Sequence, residues 1–400
     1  MYERLLTPAD PSDTVDTLDY KTGRTQARII FDAPSLTSPS SAGSPPAHEA
    51  NAPIGKRVSP RQHRFSRQCA MKAVRFHQTG GPEVLVLEDV PIPTPGSGEV
   101  LIRVEATGIN YADVMRRNGD PYPEPSPTPF VPGIEVAGTV EAHGPGVDAP
   151  AVGTSVFASP ACGGYAQYVT AAATQVMPLP PGLTSVLAAT LVVQGLTAAL
   201  VLREAGRLVQ GETVVVEAAA GGVGSVAVQL ARLFGASKVI GLAGNAAKCA
   251  TARHLGADEA IDYTDPNWPR TVRRLTGGRG TDLLLEMTGG ETLSRALQAL
   301  APFGRMVVYG QASRQTAHIA TQRLVVPNHS ITGFYLGAYI GRRDLIRSTL
   351  EDLIGYVLDK RLELQVGAVL PLARASEAHR LLEGRKTTGK VVLQPWAEEV

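Results

Sequence analysis

The sequence has few cysteines, few aromatic residues and almost no net charge, and each shortage excludes a class of protein. Its three cysteines, Cys69, Cys162 and Cys249, are widely spaced without a C-x-x-C pair, which excludes a disulfide framework and a zinc knuckle. Aromatic residues make up 5% and the net charge is +1, so nothing favours binding to nucleic acid or a membrane surface. We expect a protein of a reducing, cytoplasmic compartment with neither kind of partner.

Long hydrophobic runs are also missing. The longest apolar stretch, residues 186–202, is interrupted by two threonines, a glutamine and a glycine. It is too short and too polar for a membrane span and indicates a buried helix instead. At 400 residues the chain is too long for one ordinary core, so we expect two domains.

Residues 1–70 differ in composition from the rest of the chain. They contain 8 of the 30 prolines and 8 serines, and no apolar periodicity persists in them. Such a segment cannot bury enough apolar surface to offset its ordering entropy, so we expect a disordered extension. A strand-like alternation begins at Met71, which is either the natural start of the protein or the first residue after a short regulatory arm. Acidic residues near the beginning argue against an organelle transit peptide.

From residue 71 onward the pattern predicts an α/β protein with two unlike domains. Residues 71–180 contain short strands separated by glycine and proline, which indicates an irregular β-barrel or sandwich. From about residue 195, apolar strands alternate with glycine turns and helices, as in a doubly wound parallel sheet. The predicted strands are 100–106, 133–140, 213–217, 238–242, 282–286, 306–309 and 390–393, and the predicted helices are 223–234, 246–255, 291–300 and 344–360.

A glycine-rich loop joins the first of these apolar strands to its helix. Aligned to G-x-G-x-x-G, it places Ala219, Gly221 and Gly224 at the three glycine positions, with Gly222 and Val223 between the last two. The second position lets the backbone approach a pyrophosphate, and the third allows close packing of helix and strand. A plain glycine turn is the alternative, but the flanking strand and helix favour a dinucleotide site.

The end of the second strand indicates which dinucleotide is bound. NAD-preferring folds place Asp or Glu there for the ribose 2′-hydroxyl, and this sequence has no acid at that point. Asn245 and Lys248 follow instead, and a lysine there suits a 2′-phosphate. The alternative interpretation of Lys248 is a solvated lysine on the surface of its helix. We therefore predict NADPH rather than NADH as the cofactor.

Several further motifs accompany this loop in the same order along residues 71–400. They are GGPEVL at 80–85, GINYAD at 108–113, RNGDPYP at 117–123, PGIEVAG at 132–138, AAGGVG at 219–224, GADEAIDY at 256–263, LTGGRG at 275–280 and TTGK at 387–390. Through these motifs, residues 71–400 resemble the zinc-independent quinone oxidoreductases, which are the zeta-crystallin-like members of the medium-chain dehydrogenase/reductase superfamily. This resemblance implies a GroES-like catalytic domain, residues 71–194 and 325–400, around an inserted Rossmann domain, residues 195–324.

The same motifs lack the zinc ligands of the related alcohol dehydrogenases. Those enzymes have a cysteine after Gly-Ile and a Gly-His-Glu, whereas this chain has Asn110 and Ile134 at these places. Glu135 alone cannot form a zinc site. We therefore expect no metal, and a substrate that is already a good hydride acceptor, such as a quinone.

The resemblance also assigns roles to individual residues. Met115 and the segment 152–156 depart from the family pattern, so the substrate pocket is less well defined than the cofactor site. The implied positions are Asn110 beside the nicotinamide and substrate, Gln194 and Thr197 at the nicotinamide ribose and carboxamide, Tyr263 at the 2′-phosphate, Gly310 and Gln311 lining the nicotinamide, and Lys390 reaching the cofactor from the other domain.

Two other functions remain open at this stage. Tyr122 lies where related enoyl-thioester reductases have a proton-donating tyrosine, which would suit a reductase of activated C=C bonds in enones, enals or enoyl thioesters. Its alternative role is that of an aromatic loop anchor. The third possibility is a non-catalytic NADPH-binding protein with a structural or RNA-binding role, for which the balanced charge gives no support.

An apolar segment at 330–336 suggests how the chain assembles. It reads as a strand at the edge of the Rossmann sheet, and such edges tend to be covered. The family resemblance implies pairing of this edge with a second copy, so we expect a homodimer.

Overall fold

A computed structural model describes residues 70–398. The predicted extension, residues 1–70, lies outside the described residues except for Ala70, which begins the first strand. The strands are β1 (Ala70–Arg75), β2 (Val86–Pro91), β3 (Glu99–Ile109), β4 (Val136–His143), β5 (Ser155–Ala158), β6 (Tyr168–Ala172), β7 (Val176–Pro178), β8 (Thr213–Val216), β9 (Lys238–Ala243), β10 (Glu259–Asp262), β11 (Thr281–Glu286), β12 (Leu300–Val308), β13 (Ser330–Gly333), β14 (Val366–Pro371) and β15 (Lys390–Gln394). The helices are α1 (Tyr111–Asn118), α2 (Ser185–Ala188), α3 (Val192–Leu200), α4 (Gly222–Leu233), α5 (Ala246–His254), α6 (Trp268–Leu275), α7 (Gly290–Ala296), α8 (Gln322–Val325), α9 (Arg343–Leu358) and α10 (Ala375–Glu383).

Six parallel strands form the predicted doubly wound sheet, in the order β10-β9-β8-β11-β12-β13. Its central strands are buried on both faces because helices cover both sides. Val214 and Val216 of β8 pack into one core with Leu196 and Leu230, whereas Val215 packs into the opposite core with Trp268. This continuous apolar run is the pattern that parallel strands require, and the prediction of a Rossmann-type domain is confirmed.

A second, mostly antiparallel sheet forms the predicted β-rich domain. Its order is β14-β15-β3-β4-β5-β7, with β6 also paired to β3, and β1 and β2 form a separate ribbon. The strand β15, close to the end of the chain, pairs antiparallel with β3. Both ends of the described chain therefore contribute strands to this sheet or to the ribbon beside it.

Two predicted boundaries differ from the structure. The strand β13 pairs with β12 in the parallel sheet, so a domain boundary after residue 324 separates it from the sheet to which it belongs. The helix predicted over 291–300 ends at Ala296, because Leu300 already pairs with Thr281 as the first residue of β12. Local periodicity could not show this long-range pairing.

Within the described chain, none of the helices has both the length and the apolar character needed to cross a membrane. The apolar stretch at 186–202 forms α2, α3 and part of the π-helical turn Val201–Ala205. Most of its residues are buried, with α2 packed against β3 and β4 and α3 packed against α4 and α9, as predicted for a core segment.

Helix α4 packs closely against the loop after β8 because Gly224 has no side chain. A Cβ at this position would lie 2.2 Å from the Ala218 carbonyl oxygen and 2.9 Å from the Ala219 Cα. Both neighbours are backbone atoms, which cannot move aside without shifting the loop. The third glycine of the motif is therefore fixed by packing.

We expect Gly224→Ala to lower the free energy of unfolding by about 1–3 kcal/mol, because it overpacks this contact. Urea denaturation measures the loss. The matched control is Gly355→Ala in the interior of α9, where a Cβ would meet no atom within 4 Å. That variant should be unchanged or more stable by about 0.4–1 kcal/mol. Equal effects of the two substitutions would contradict the packing argument.

Candidate functional site

A cleft lies at the carboxyl ends of the parallel strands, where β8 separates the two directions in which the sheet is wound. In open α/β sheets this switch point is where ligands bind. Eight residues expected from the sequence line the cleft: Asn110, Gln194, Gly221, Gly222, Val223, Gly224, Lys248 and Tyr263. The other expected residues do not line it: Tyr122, Thr197, Ala219, Asn245, Gly310, Gln311 and Lys390.

The loop between β8 and α4 is a tight turn with open space in front of it. The Gly221 N–H donates to the Ala218 carbonyl oxygen at 2.7 Å, and Ala218 has a φ of 48°. A Cβ on Gly221 would have only Ala218 atoms within 4 Å, so it would project into the cleft. Free N–H groups at the start of α4 add a partial positive charge, and this backbone can therefore hold a pyrophosphate.

Ala219, at the first glycine position of the motif, does not border the cleft. It is fully buried, and its N–H donates to the Leu242 carbonyl oxygen at 2.9 Å. Its neighbour Ala218 adopts the left-handed conformation and borders the cleft instead. The first glycine position of the motif thus anchors the loop to β9.

Gln194 lies directly over the phosphate loop. A Cβ on Gly222 would come within 2.0 Å of the Gln194 Nε2, so the glycine leaves room for this amide. Thr197, further along α3, is buried and does not border the cleft. The structure therefore brings Gln194, but not Thr197, to the loop.

At the end of β9, two cations and a phenol lie together. The Lys248 Nζ donates to the Arg385 carbonyl oxygen at 2.6 Å, and the Arg385 guanidinium lies 3.5 Å from the Tyr263 hydroxyl oxygen. Burial, followed by the charge of Arg385, lowers the pKa of Lys248. An anion placed between these groups would relieve that repulsion. Asn245 instead accepts the Lys248 backbone N–H at 2.9 Å and caps α5.

On the opposite side of the cleft, Asn110 is held by a buried ion pair. The Lys390 Nζ donates to the Asn110 Oδ1 at 2.7 Å and also bonds the Glu135 carboxylate. Because an ammonium group can only donate, the amide orientation is fixed, and the Asn110 Nδ2 donates to the Glu135 Oε1 at 2.8 Å. Lys390 is fully buried beneath Asn110.

Asp113 fixes the backbone on either side of this cluster. Its carboxylate accepts N–H groups from Asn110 at 2.8 Å and from Gly133 at 3.0 Å. Complete burial raises the pKa of Asp113 to about 6, although these two hydrogen bonds oppose the increase. Tyr165 donates a further hydrogen bond to it at 3.3 Å. Asp113 is a positioning residue for Asn110.

Tyr122 is half-buried outside the cleft lining. Its ring makes an edge contact with Tyr335 at 6.3 Å between centroids, and the Arg116 guanidinium lies 5.3 Å from its centroid. The Tyr335 hydroxyl donates to the Glu124 Oε1 at 2.5 Å. Burial raises the pKa of Tyr122, so its phenol keeps its proton at neutral pH.

Gly310 and Gln311 follow β12 but turn away from the cleft. A Cβ on Gly310 would lie 3.0 Å from the Met287 carbonyl oxygen, and Gln311 packs near Gly289. Their neighbours Tyr309 and Ala312 line the cleft instead. The assignment of Gly310 and Gln311 to the nicotinamide stays a prediction.

Sequence reasoning missed several cleft residues. Met287 and Thr288 follow β11, and the rule that ligands bind at strand ends could have identified them. Glu383 ends α10 and Arg385 lies in the loop before β15. No sequence motif placed these two residues at the cleft. Among residues 70–398, the structure contains no group of three or more His, Cys, Asp or Glu side chains arranged to hold a metal ion.

Two family models match this chain. The alcohol dehydrogenase GroES-like domain matches residues 96–181, in the β-rich part. The zinc-binding dehydrogenase model matches residues 222–354, which include most of the parallel sheet.

Individual proteins match over most of the chain. It is 35% identical to a 2-haloacrylate reductase of Burkholderia sp over 338 residues, which cover 81% of this chain and 99% of that protein. It is 34% identical to a quinone oxidoreductase of Pseudomonas aeruginosa over 326 residues, with 81% and 99% covered. The solved structure of a mycobacterial protein complexed with NADPH has a TM-score of 0.77 and 37% identity, covering 81% of this chain and 100% of that one.

These similarities extend through both domains and include the phosphate loop and the Asn110 segment. The chain belongs to the zeta-crystallin-like quinone oxidoreductases of the medium-chain dehydrogenase/reductase superfamily.

Proposed function

We propose that this protein is an NADPH-dependent, zinc-independent oxidoreductase that transfers hydride to a quinone. The observation that carries the proposal is that one cleft combines a phosphate loop, a cationic site at the end of β9 and the fixed amide of Asn110. The similar mycobacterial structure holds NADPH, and a similar Pseudomonas protein is named a quinone oxidoreductase.

The residues of the cleft fit the phosphate groups of NADPH. Gly221 and the start of α4 would hold the pyrophosphate, and Lys248, Arg385 and Tyr263 would hold the 2′-phosphate. When bound, the nicotinamide supplies the hydride, and uptake of that hydride and one proton converts a quinone to a hydroquinone. Asn110 has both amide hydrogens directed at protein oxygens, so we assign it to shaping and positioning the site.

The cationic site gives a direct test of cofactor choice. We expect Lys248→Ala and Arg385→Ala each to raise KM for NADPH about tenfold or more, since a charge-assisted hydrogen bond contributes about 1.5–3 kcal/mol. KM for NADH should change little, because NADH has no 2′-phosphate. Lys386→Ala, on the same loop but outside the cleft lining, is the control. Equal effects on both cofactors would contradict the assignment.

A second candidate function is reduction of an activated C=C bond. The similar Burkholderia protein is named a 2-haloacrylate reductase, and Tyr122 is a protonated phenol on the β-rich side of the molecule. Hydride addition to such an alkene leaves a carbanion that needs a proton, which a phenol can donate. A quinone has less need of this donor.

Tyr122→Phe separates the two functions. If Tyr122 donates the proton, kcat on an enone should fall about 100-fold or more while kcat on a quinone is retained. Steady-state assays with both substrates measure this. Tyr168→Phe, a half-buried tyrosine packed on Trp396, is the control. Unchanged rates on both substrates would contradict the role of proton donor and would show that Tyr122 only anchors its loop.

The groups around Glu135 support the proposal of zinc independence. Its carboxylate already bonds Lys390, Asn110 and the Val193 N–H, and the buried ammonium of Lys390 would repel a metal cation. We expect substoichiometric zinc by elemental analysis and full activity after prolonged treatment with EDTA. Restoration of a lost activity by added zinc would contradict this.

We further propose a homodimer in the cytoplasm. The strand β13 is an edge of the described parallel sheet and offers unpaired backbone groups to a second copy. The described cysteines, Cys162 and Cys249, are both free, as in a reducing compartment. Light scattering of the purified protein should give the mass of two chains, and the mass of one chain would refute the dimer.

A further inference from the structure

Two acidic side chains are buried together below the cleft. Glu217 follows β8 and Glu286 ends β11, and their exposed fractions are 1% and 0%. Val216 and Leu285 are paired in register on these parallel strands, so the two glutamates are the next neighbours across the sheet. Neighbouring strands lie about 4.8 Å apart, which brings the two carboxyl groups close together.

One short segment supplies the hydrogen-bond donors to both groups. The Glu217 Oε2 accepts from the Thr288 hydroxyl at 2.8 Å and from the Met287 N–H at 3.3 Å. The Glu286 Oε1 accepts from the N–H groups of Thr288 at 3.0 Å and Gly289 at 2.6 Å. Met287 and Thr288 also line the cleft, so the acidic pair determines the shape of this wall.

The other oxygen of each carboxyl group lacks a donor. The Glu217 Oε1 and the Glu286 Oε2 have no hydrogen-bond partner, and neither group forms an ion pair within residues 70–398. Tyr309, at the end of β12, is the titratable group that faces the pair from the next strand, and burial raises its pKa so that it stays neutral. Two unpaired buried carboxylates side by side would repel each other strongly.

A single proton satisfies both free oxygens. We propose that Glu217 and Glu286 share one proton in the folded protein, and that this proton keeps the Met287–Thr288 wall in the shape that binds the cofactor. Burial, together with the neighbouring charge of Glu286, raises the pKa of Glu217 from 4.5 to about 8. Burial also raises the pKa of Glu286, while the hydrogen bonds from the Gly289 and Thr288 N–H groups oppose the increase. The pKa shifts of both members are in the direction that keeps one proton on the pair.

The first test needs no cofactor. Between pH 5 and 8 both carboxyl groups are ionised in the unfolded chain, whereas the folded pair keeps one proton, so stability falls as the pH rises through this range. The folding equilibrium constant should fall about tenfold per pH unit from this one proton. Urea denaturation at a series of pH values measures it.

Glu217→Gln replaces the shared proton with a permanent N–H. The Gln amide can donate to Glu286 and accept from Thr288, so this variant should fold and lose the tenfold-per-unit contribution. Glu291→Gln, an exposed partner of Arg295 on α7, is the control and should keep the wild-type slope. If Glu217→Gln folds poorly, Glu286→Gln makes the same exchange. Identical slopes for wild type and these variants would overturn the shared proton.

The second test concerns the wall and rests on the proposed function. NADPH affinity, measured by fluorescence titration, should weaken about tenfold or more for wild type between pH 7 and 9.5. The pKa of Lys248 is also lowered, so its titration contributes to the pH dependence of both proteins. The test is therefore the difference between the two proteins: NADPH affinity of Glu217→Gln should weaken much less over this pH range than that of wild type. Parallel curves would refute the role of the proton at the wall. Failure of wild type to bind NADPH at any pH would refute the proposed function and the wall, while the stability data would still decide the shared proton.

Discussion

The buried ion pair between Lys390 and Glu135 is the interaction on which the arrangement of the site depends. Glu135 precedes β4 and Lys390 begins β15, and both side chains are fully buried. The second oxygen of Glu135 accepts the Val193 N–H in α3 at 2.9 Å, and the ammonium group holds Asn110 before α1. Four segments therefore meet at one charge pair. Removing one partner from such a pair costs about 3–5 kcal/mol, because the other charge is left buried and unpaired.

The same pair resembles a metal site in its organisation. In a metal site, a cation draws several side chains into one geometry. In this cluster the ammonium of Lys390 is a cation that holds Asn110 and Glu135. Because this cation is covalently attached to β15, the geometry of the cluster depends on how β15 packs against the strands and helices around it.

The sequence was sufficient to predict the elements whose signals are local. These signals are the apolar run of β8, the glycines at the start of α4 and the missing acid near Asn245. Each of them lies in the strand, turn or helix start that the sequence predicted for it. The position of Arg385 could not be predicted, because it depends on α10 returning to the end of β9 from a distant part of the sequence. The buried location of Lys390 was missed for the same reason, since its partner Glu135 belongs to the other end of the β-rich domain.

The closing segment of the chain also touches the phosphate loop. The Gly389 N–H donates to the Ala220 carbonyl oxygen at 2.8 Å, and Gly389 forms an isolated parallel bridge with Gly221. A segment of the β-rich domain therefore holds the phosphate loop of the parallel-sheet domain. The complete nucleotide site exists only while these two parts are docked, so a bound cofactor stabilises their docking.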